Sequence, residues 1–262
     1  MSTLVTLGCS FSQGDGCYDI DTMPENCDNN NKDFQEYREN NMDRFNKNSI
    51  GANLQKRFGY ETFINYGYAG SSNESQLLNF FNNLPNDENV TIFWQLTFYD
   101  RAFEIIRRGF HDAGQHRKWV LEKIEEKVKS HNQSLPQMTL DSRIETILRI
   151  NVLKEYCIAR GWNLFIWSWN NDGNGLISIQ PSLSEILVNF KNKIHEYADD
   201  LPNEYKSPIP NDSHPNEKGY KLVSDDMCNW IDKNNHRLKV PMPNEIPLEQ
   251  IKVSNNQQIK FK

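Results

Sequence analysis

LVTLGCSFS, residues 4–12, is the stretch that decides the fold of this 262-residue chain. Its first four residues form a short apolar run, which is typical of a buried strand in a parallel sheet. Small residues follow at once, and Ser10 carries a hydroxyl in the turn that they predict. A second distinctive stretch, NDSHP at residues 211–215, precedes a helical pattern near the other end of the chain. A serine after the first strand and a late Asp/His pair are the minimum equipment for serine-based acyl transfer.

The composition argues against several classes of protein. The formal net charge of −6 disfavours general binding to nucleic acids or membrane surfaces. The five cysteines are scattered without a Cys-x-x-Cys pair, so the sequence predicts neither a disulfide framework nor a metal site, and we expect no cofactor. The apolar start lacks the basic residues of a signal peptide, and no run approaches the ~18 apolar residues of a membrane span. We therefore expect a soluble cytoplasmic protein, unless it is released by lysis or carried on a virus particle.

Strand-like and helix-like patterns alternate along the chain. Short apolar runs predict four strands, at residues 4–7, 62–66, 90–96 and 162–169. Apolar residues at helical spacing predict five helices, marked by Ile50, Leu54 and Phe58; by Leu77, Phe80, Phe81 and Leu84; by Ile144, Ile147, Leu148 and Val152; by Leu183, Ile186, Leu187, Phe190 and Ile194; and by Tyr220, Val223, Met227, Trp230 and Ile231. Ser71 and Glu74 have the spacing of a capping box before the second helix. The alternation predicts an α/β fold, a doubly wound, flavodoxin-like parallel sheet of about five strands with helices on both faces in a three-layer sandwich.

Two polar segments interrupt this alternation. Residues 15–48 are acidic and rich in asparagine, and residues 98–140 are mixed in charge. Both are too long for ordinary connections, so we predict that they are insertions that shape a pocket. Residues 237–262 contain three prolines and little periodicity, which predicts a C-terminal arm or tail. The prediction is therefore a single domain over residues 1–236.

The candidate residues are expected at one edge of the sheet. In a doubly wound sheet the active site lies beyond the carboxyl ends of the strands. The segments that follow the first three strands are Cys9-Ser10, residues 69–71 and residues 97–101. If the late Asp/His pair reaches the same edge, all of the candidates converge there.

These segments make the chain resemble the SGNH (GDSL-like) hydrolase superfamily, in particular its divergent members whose first block reads Gly-Cys-Ser-Phe-Ser/Thr. GCSFS at residues 8–12 matches the first block, NYGYAG at residues 65–70 matches the second, and DSHP at residues 212–215 with the later Gly219 matches the last. The resemblance implies that Ser10 is the nucleophile and His214 the general base. It also implies that the backbone N–H of Gly70 joins that of Ser10 in an oxyanion hole.

The third and last blocks depart from the pattern of that superfamily. The usual Gly-x-Asn-Asp is replaced by WQLTFYDR at residues 94–101, so Thr97 is the nearest positional substitute for the oxyanion asparagine. Gln95 and Arg101 are the other candidates for substrate or oxyanion support. The superfamily's Asp lies three residues before the His, where this chain has Asn211. We favour Asp212 as the orienting group, because only a carboxylate also stabilises the imidazolium.

Three functions are compatible with these residues. The favoured one is a serine esterase that hydrolyses a small-molecule or glycan ester through a Ser10, His214 and Asp212 triad. The resemblance suggests O-acetyl groups on a carbohydrate as the first substrates to consider. The alternatives are a catalytically weakened binding module and an acyltransferase that uses the same triad. Ser10 alone could simply cap a helix, and Cys9 could be the attacking group, but the combination of blocks favours Ser10 as the nucleophile.

Overall fold

The structure is a computed structural model that describes residues 2–28, 31–97, 135–168, 173–188, 202–209, 212 and 214–234. Its centre is a sheet whose strands are β1 (Ser2–Leu7), β2 (Thr62–Asn65), β3 (Asn89–Leu96) and β4 (Asn163–Ser168). The strands lie in the order β2-β1-β3-β4, and every pairing is parallel. The α/β fold and the four strands predicted from the apolar runs are confirmed.

Helices connect these strands and cover the sheet. The described helices are α1 (Ser10–Gln13), α2 (Lys32–Asn40), α3 (Met42–Asn48), α4 (Ile50–Phe58), α5 (Asn73–Asn82), α6 (Leu135–Arg160), α7 (Gly173–Ile179) and α8 (Glu217–Asn234). Two short 3-10 helices occur at Pro181–Glu185 and Asn203–Tyr205. Within the described ranges, none of the helices combines the length and the apolar character that a membrane span requires.

The sheet separates two apolar clusters, which makes the three-layer arrangement. Alternate residues of a strand point to opposite faces, so Leu4 and Val5 of β1 lie in different clusters. Leu4 packs on the side of α4 and α8, where Leu54 and Met227 are fully buried. The other cluster holds Val5 and the buried faces of α5 and α6. Both faces of the sheet are therefore covered, as the sequence predicts for a doubly wound fold.

The strand order by itself indicates the edge of the sheet at which a ligand would bind. The chain moves from β1 outward to β2 and then crosses back to β3 on the other side of β1. Connections on the two sides of such a point leave a crevice beyond the carboxyl ends of the two central strands. The residues that follow β1 and β3 directly, including Ser10 and Thr97, lie at this crevice.

The predicted helix marked by Leu183, Ile186, Leu187, Phe190 and Ile194 is wrong where the structure describes it. The chain forms the 3-10 helix Pro181–Glu185 and then runs beside β4 as an isolated parallel bridge between Ile166 and Leu187. The N–H of Ile166 bonds the carbonyl of Ile186, and the N–H of Val188 bonds the carbonyl of Ile166. This bridge marks the fifth strand position. A short apolar run fits a buried strand and a helix face equally well, so its periodicity does not separate them.

Helix α6 is confirmed, but its predicted apolar face is not the one that packs on the sheet. Three of the four residues used for the prediction are exposed, since Ile144 is 41% and both Leu148 and Val152 are 59% accessible. The buried face carries Ile150 and Leu153, each with no exposed area, together with Ile147, Cys157 and their neighbours. The helix has apolar residues on two faces, and only the tertiary packing selects between them.

The start of α5 also differs by one residue from its prediction. Ser72 is the N-cap, and its hydroxyl oxygen accepts a hydrogen bond from the N–H of Ser75 at 3.2 Å. The hydroxyl of Ser75 accepts one in return from the N–H of Ser72 at 3.0 Å. The capping box therefore joins Ser72 and Ser75, not Ser71 and Glu74, because Ser71 makes a different bond described below.

The first predicted insertion contains helices α2 and α3. They are anchored by Phe34 and Phe45, whose side chains are almost completely buried. Residues 98–134 of the second predicted insertion and the predicted tail at 237–262 lie outside the described residues.

Candidate active site

Ser10 is the first residue of α1 and follows the tight turn that ends β1. Gly8 makes this turn possible, because a Cβ at that position would collide with the side chains of Ser12 and Gln95. Cys9 has no exposed area, whereas Ser10 is partly exposed. The Cys9 thiol is therefore buried in the apolar cluster on the α4 and α8 side of the sheet, whereas the Ser10 hydroxyl lies at the crevice.

The Gln95 side chain holds the turn from beneath. Its Oε1 accepts hydrogen bonds from the N–H of Cys9 at 3.3 Å, the N–H of Ser12 at 3.1 Å and the hydroxyl of Ser12 at 2.6 Å. Its Nε2 donates to Cys9 Sγ at 3.1 Å. Gln95 was one of the candidates for substrate or oxyanion support, and these bonds make it a support of the turn that carries Ser10.

His214 and Asp212 reach Ser10 on the loop that precedes α8. The carboxylate Oδ1 of Asp212 accepts a hydrogen bond from the N–H of His214 at 3.2 Å, which is the bond of a local Asx turn. The carbonyl of His214 accepts one from the N–H of Ser207 at 2.9 Å. On the other side, Gly16 lies so close that a Cβ there would collide with His214 and with the carbonyl of Pro215.

The three side chains form a continuous hydrogen-bonded chain. His214 Nε2 is 2.7 Å from Ser10 Oγ, and His214 Nδ1 is 2.5 Å from Asp212 Oδ1. The side chains of His214 and Asp212 are only 19% and 14% exposed. Phe11 packs beside the imidazole with ring centroids 4.7 Å apart. The sequence-predicted residues Ser10, His214 and Asp212 are thus brought together, although Ser10 and His214 lie 204 positions apart in the chain.

Charge and burial act in opposite directions on this pair. Burial alone would lower the pKa of His214, but the hydrogen bond with Asp212 and the negative charge of Asp212 raise it above its ordinary value. Burial alone would raise the pKa of Asp212, but the hydrogen bonds and charge of His214 hold it below its ordinary value. The carboxylate therefore stays ionised while the imidazole titrates, as an orienting acid and a general base require.

Two of the three predicted oxyanion donors are backbone N–H groups at the crevice. Gly70 has a φ of 76° in the turn closed by the bond from the N–H of Ser71 to the carbonyl of Tyr68, at 3.3 Å. This positive φ suits glycine at the third position of a type II turn. Among the described residues, the N–H groups of Ser10 and Gly70 have no hydrogen-bond acceptor.

Thr97, the third predicted donor, is held by Asn73. The N–H of Thr97 donates to Asn73 Oδ1 at 2.8 Å, and Asn73 Nδ2 donates to the carbonyl of Thr97 at 3.3 Å. The buried hydroxyl of Thr97 has no hydrogen-bond partner among the described residues. The main chain of Thr97 is therefore fixed, while its side-chain hydroxyl keeps its bonding capacity.

Two sets of hydrogen-bonded polar side chains near the site were not found by reasoning from the sequence. The first is a relay in which Trp94 Nε1 donates to Gln76 Oε1 at 2.7 Å, Gln76 Nε2 to Ser71 Oγ at 2.9 Å, and Ser71 Oγ to the carbonyl of Gly8 at 2.8 Å. The second is an ion pair between Asp15 and an arginine of α2. Neither has a sequence signal, because each depends on residues that are distant in the chain.

Two further candidates lie outside the described residues. They are Arg101, which was a candidate for substrate or oxyanion support, and Asn211, the alternative orienting group. The described residues include no group of three or more His, Cys, Asp or Glu side chains that could hold a metal ion.

A comparison with models of known protein families finds no match, and a comparison with curated protein sequences finds no significant one. Among solved structures, the chain is similar to a member of the lipolytic protein G-D-S-L family from Veillonella parvula, with 14% identity and a TM-score of 0.39 over 91% of this chain and 100% of that one. It is similar to the acetyl xylan esterase AlAXEase, with 12% identity and a TM-score of 0.43 over 87% and 99% of the two chains. The lipase/acylhydrolase from Enterococcus faecalis has 12% identity and a TM-score of 0.35 over 91% and 98%. At such low similarity, function has to follow from the side chains of this chain itself.

Proposed function

We propose that this chain is a serine ester hydrolase of the SGNH type, with Ser10 as nucleophile, His214 as general base and Asp212 as the group that orients His214. The observation that carries the proposal is the pair of short hydrogen bonds from Ser10 Oγ to His214 Nε2 and from His214 Nδ1 to Asp212. A nucleophile, a base and an orienting carboxylate in that order are the working parts of serine-based acyl transfer.

The first half of the proposed reaction forms an acyl-enzyme. His214 Nε2 takes the proton of Ser10 Oγ as that oxygen attacks the carbonyl carbon of the ester. The negative charge that develops on the carbonyl oxygen is received by the N–H groups of Ser10 and Gly70 and by the hydroxyl of Thr97. When the tetrahedral intermediate collapses, His214 gives its proton to the departing alcohol.

The second half returns the enzyme to its starting state. Water enters beside His214, which removes a proton from it while the water oxygen attacks the acyl carbon. Collapse of this second intermediate releases the acid and restores the proton to Ser10 Oγ. Asp212 remains ionised throughout and stabilises the imidazolium that forms in each half.

The proposed substrates are small acyl esters, with O-acetyl groups on a carbohydrate as the first class to assay. This choice follows the resemblance of the GCSFS, NYGYAG and DSHP stretches to the SGNH superfamily, whose substrates are often of this kind. The same triad serves an acyltransferase in which an acceptor hydroxyl replaces water. Product analysis with and without sugar acceptors separates the two reactions, since hydrolysis releases the acyl group only as free acid, whereas transfer also yields the acylated acceptor.

Variants at Ser10 and His214 test the proposal. Turnover of p-nitrophenyl acetate and of acetylated oligosaccharides is expected to fall by roughly 10³-fold or more in Ser10→Ala and in His214→Ala. A fluorophosphonate probe should label the unmodified protein once, at Ser10, and should not label Ser10→Ala. Cys9→Ala is the control for the neighbouring thiol and should keep labelling. Turnover unchanged in Ser10→Ala would contradict the assignment, and absence of labelling in the native protein would favour a binding module.

A further inference from the structure

A partly buried ion pair lies beside the proposed active site but takes no part in the reaction described above. Arg38 Nη2 is 2.6 Å and 2.9 Å from the two carboxylate oxygens of Asp15. Asp15 is only 3% exposed and also accepts a hydrogen bond from Tyr18 Oη at 3.4 Å. Asp15 is the first residue of the first predicted insertion, two positions after the end of α1, and Arg38 lies on α2 in the same insertion. The insertion therefore supplies both the cation and the carboxylate of this pair.

Asp15 is held in a fixed place relative to His214. Its neighbour Gly16 packs against His214 and Pro215 so closely that no Cβ fits between them. The carbonyl of Asp15 accepts a hydrogen bond from Tyr220 Oη at 2.6 Å, and Tyr220 belongs to the helix that follows His214. The carboxylate cannot move away from the imidazole without breaking this packing.

The charged groups that act on His214 come from three elements of the described structure. They are Asp212 on its own loop, Asp15 after α1 and Arg38 on α2. Tyr18 and Tyr220 also face this cluster, but burial raises the pKa of both phenols, so they stay neutral. Asp15 favours the protonated imidazole and Arg38 opposes it, so the two partly cancel.

We propose that Arg38 is a positioning residue that neutralises Asp15 and thereby keeps His214 able to accept a proton near neutral pH. This inference rests on the proposed function, in which only the neutral imidazole acts as a base. Without Arg38, the buried negative charge of Asp15 would add to that of Asp212 and stabilise the imidazolium. The first insertion would then contribute to the chemistry as well as to the shape of the site.

The pH profile of kcat/KM in charge variants tests the proposal. In Arg38→Gln the acidic limb of the kcat/KM profile is expected to move to higher pH. The value of kcat/KM should fall roughly three- to tenfold near pH ~6 and recover at alkaline pH. In Asp15→Asn the limb should move to lower pH, because Arg38 then acts alone. The double variant should return close to the native profile. A merely structural role would lower activity at every pH without opposite shifts.

Titration of the His214 imidazole by NMR provides a readout that needs no substrate. The six histidines are distinguished by comparison with His214→Gln, and the titration midpoints should shift in the same directions as the kinetic limbs. Arg57→Gln, which breaks the exposed pair between Arg57 and Asp232, is the charge-matched control and should leave both readouts unchanged. If Arg38→Gln does not fold, Asp15→Asn and the double variant decide the question. A midpoint that stays unchanged in Asp15→Asn, or that moves in the same direction in both single variants, overturns the proposal, whereas failure of native turnover alone would overturn only the proposed function.

Discussion

At the scale of single residues, the site depends on which polar groups already have partners and which do not. Ser10 Oγ and His214 bond each other, and Asp212 holds the imidazole from the other side. The asparagine that would serve the oxyanion in the SGNH superfamily is absent from residues 94–101. Asn73 does not replace it, because the Oδ1 and Nδ2 atoms of its side chain are both hydrogen-bonded to the main chain of Thr97. The Thr97 hydroxyl is therefore the side-chain group that we propose for the oxyanion.

Thr97→Val is expected to reduce kcat by roughly a hundredfold while KM changes little. The substitution removes one hydroxyl donor and keeps the shape of the side chain, and the lost bond is made mainly in the transition state. Steady-state kinetics on an acetyl ester measure both constants. Thr97→Ser keeps the hydroxyl and should retain most of the activity. Equal kcat in Thr97→Val and the native protein would remove Thr97 from the oxyanion hole.

At the scale of elements, the turn between β1 and α1 is held by a side chain from the neighbouring strand. Gln95 on β3 is fully buried and accepts hydrogen bonds from the N–H groups of Cys9 and Ser12, and the N–H of Ser12 also bonds the carbonyl of Cys9. Strand β3 pairs with β1 in parallel register over six residues, from Ser2 opposite Asn89 to Leu7 opposite Trp94. The sheet register therefore brings Gln95 under the residue that bears the hydroxyl.

Gln95→Met is expected to lower the free energy of unfolding by about 1–3 kcal/mol, since it leaves the buried N–H of Cys9 without its acceptor at nearly constant side-chain volume. It should also lower kcat more than it raises KM, because Ser10 loses its fixed position. Urea denaturation and steady-state kinetics give the two readouts. Gln55→Met, on the half-exposed side of α4, is the matched control. A Gln95→Met variant with native stability and native kcat would show that the turn between β1 and α1 does not depend on the Gln95 side chain.

Helix α6 allows a direct test of which of its two apolar faces contributes to the core. Leu153→Ala should destabilise the protein by about 2–5 kcal/mol, because Leu153 is fully buried against the sheet. Leu148→Ala, only five positions away, should change stability by no more than about 0.5 kcal/mol, because Leu148 is 59% exposed. Urea unfolding of the two variants compares them directly. Equal losses would mean that the exposed face is covered in solution.

At the scale of the whole molecule, the linkage between Asp212 and His214 ties stability to pH. The pKa of Asp212 is lowered on folding, so its contribution is present above the ordinary carboxyl pKa and is lost as pH falls through the lowered value. The pKa of His214 is raised, so its contribution is complete below the ordinary imidazole pKa and is lost as pH rises through the raised value. The ion pair therefore stabilises the fold most at mildly acidic pH.

Asp212→Asn should reveal this window. The difference in free energy of unfolding between the native protein and this variant is expected to be largest between pH ~4 and ~6.5 and to decline on either side. Part of it should persist at alkaline pH, since the neutral imidazole still donates its Nδ1 proton. Urea denaturation at a series of pH values measures the difference. Asp225→Asn, in an exposed pair with Lys221, should show no such window, and a flat profile for Asp212→Asn would contradict the linkage.

Much of the architecture could be predicted because its signals are local. Four apolar runs became the four strands, and Gly59 ends α4 in a left-handed conformation as its position after Phe58 indicates. The region around Leu187 was misassigned, since an apolar run of that length carries no distinctive period. The face of α6 was misassigned because a long helix with two apolar stripes satisfies the same spacing rule on either side.

The sequence by itself determined the alternation of strands and helices, and hence a parallel sheet whose edge gathers the turn at Ser10 and the loop at His214. These features follow from local periodicity and chain order. Only the tertiary structure decided that Gln95 supports the turn before Ser10, that Asn73 is hydrogen-bonded to Thr97 and that Arg38 pairs with Asp15. Each of these pairs joins residues far apart in the chain, and a buried polar group takes whichever partner the packing brings to it. The residue types determine which side chains need hydrogen bonds. Their partners are determined only when the helices on both faces pack against the sheet.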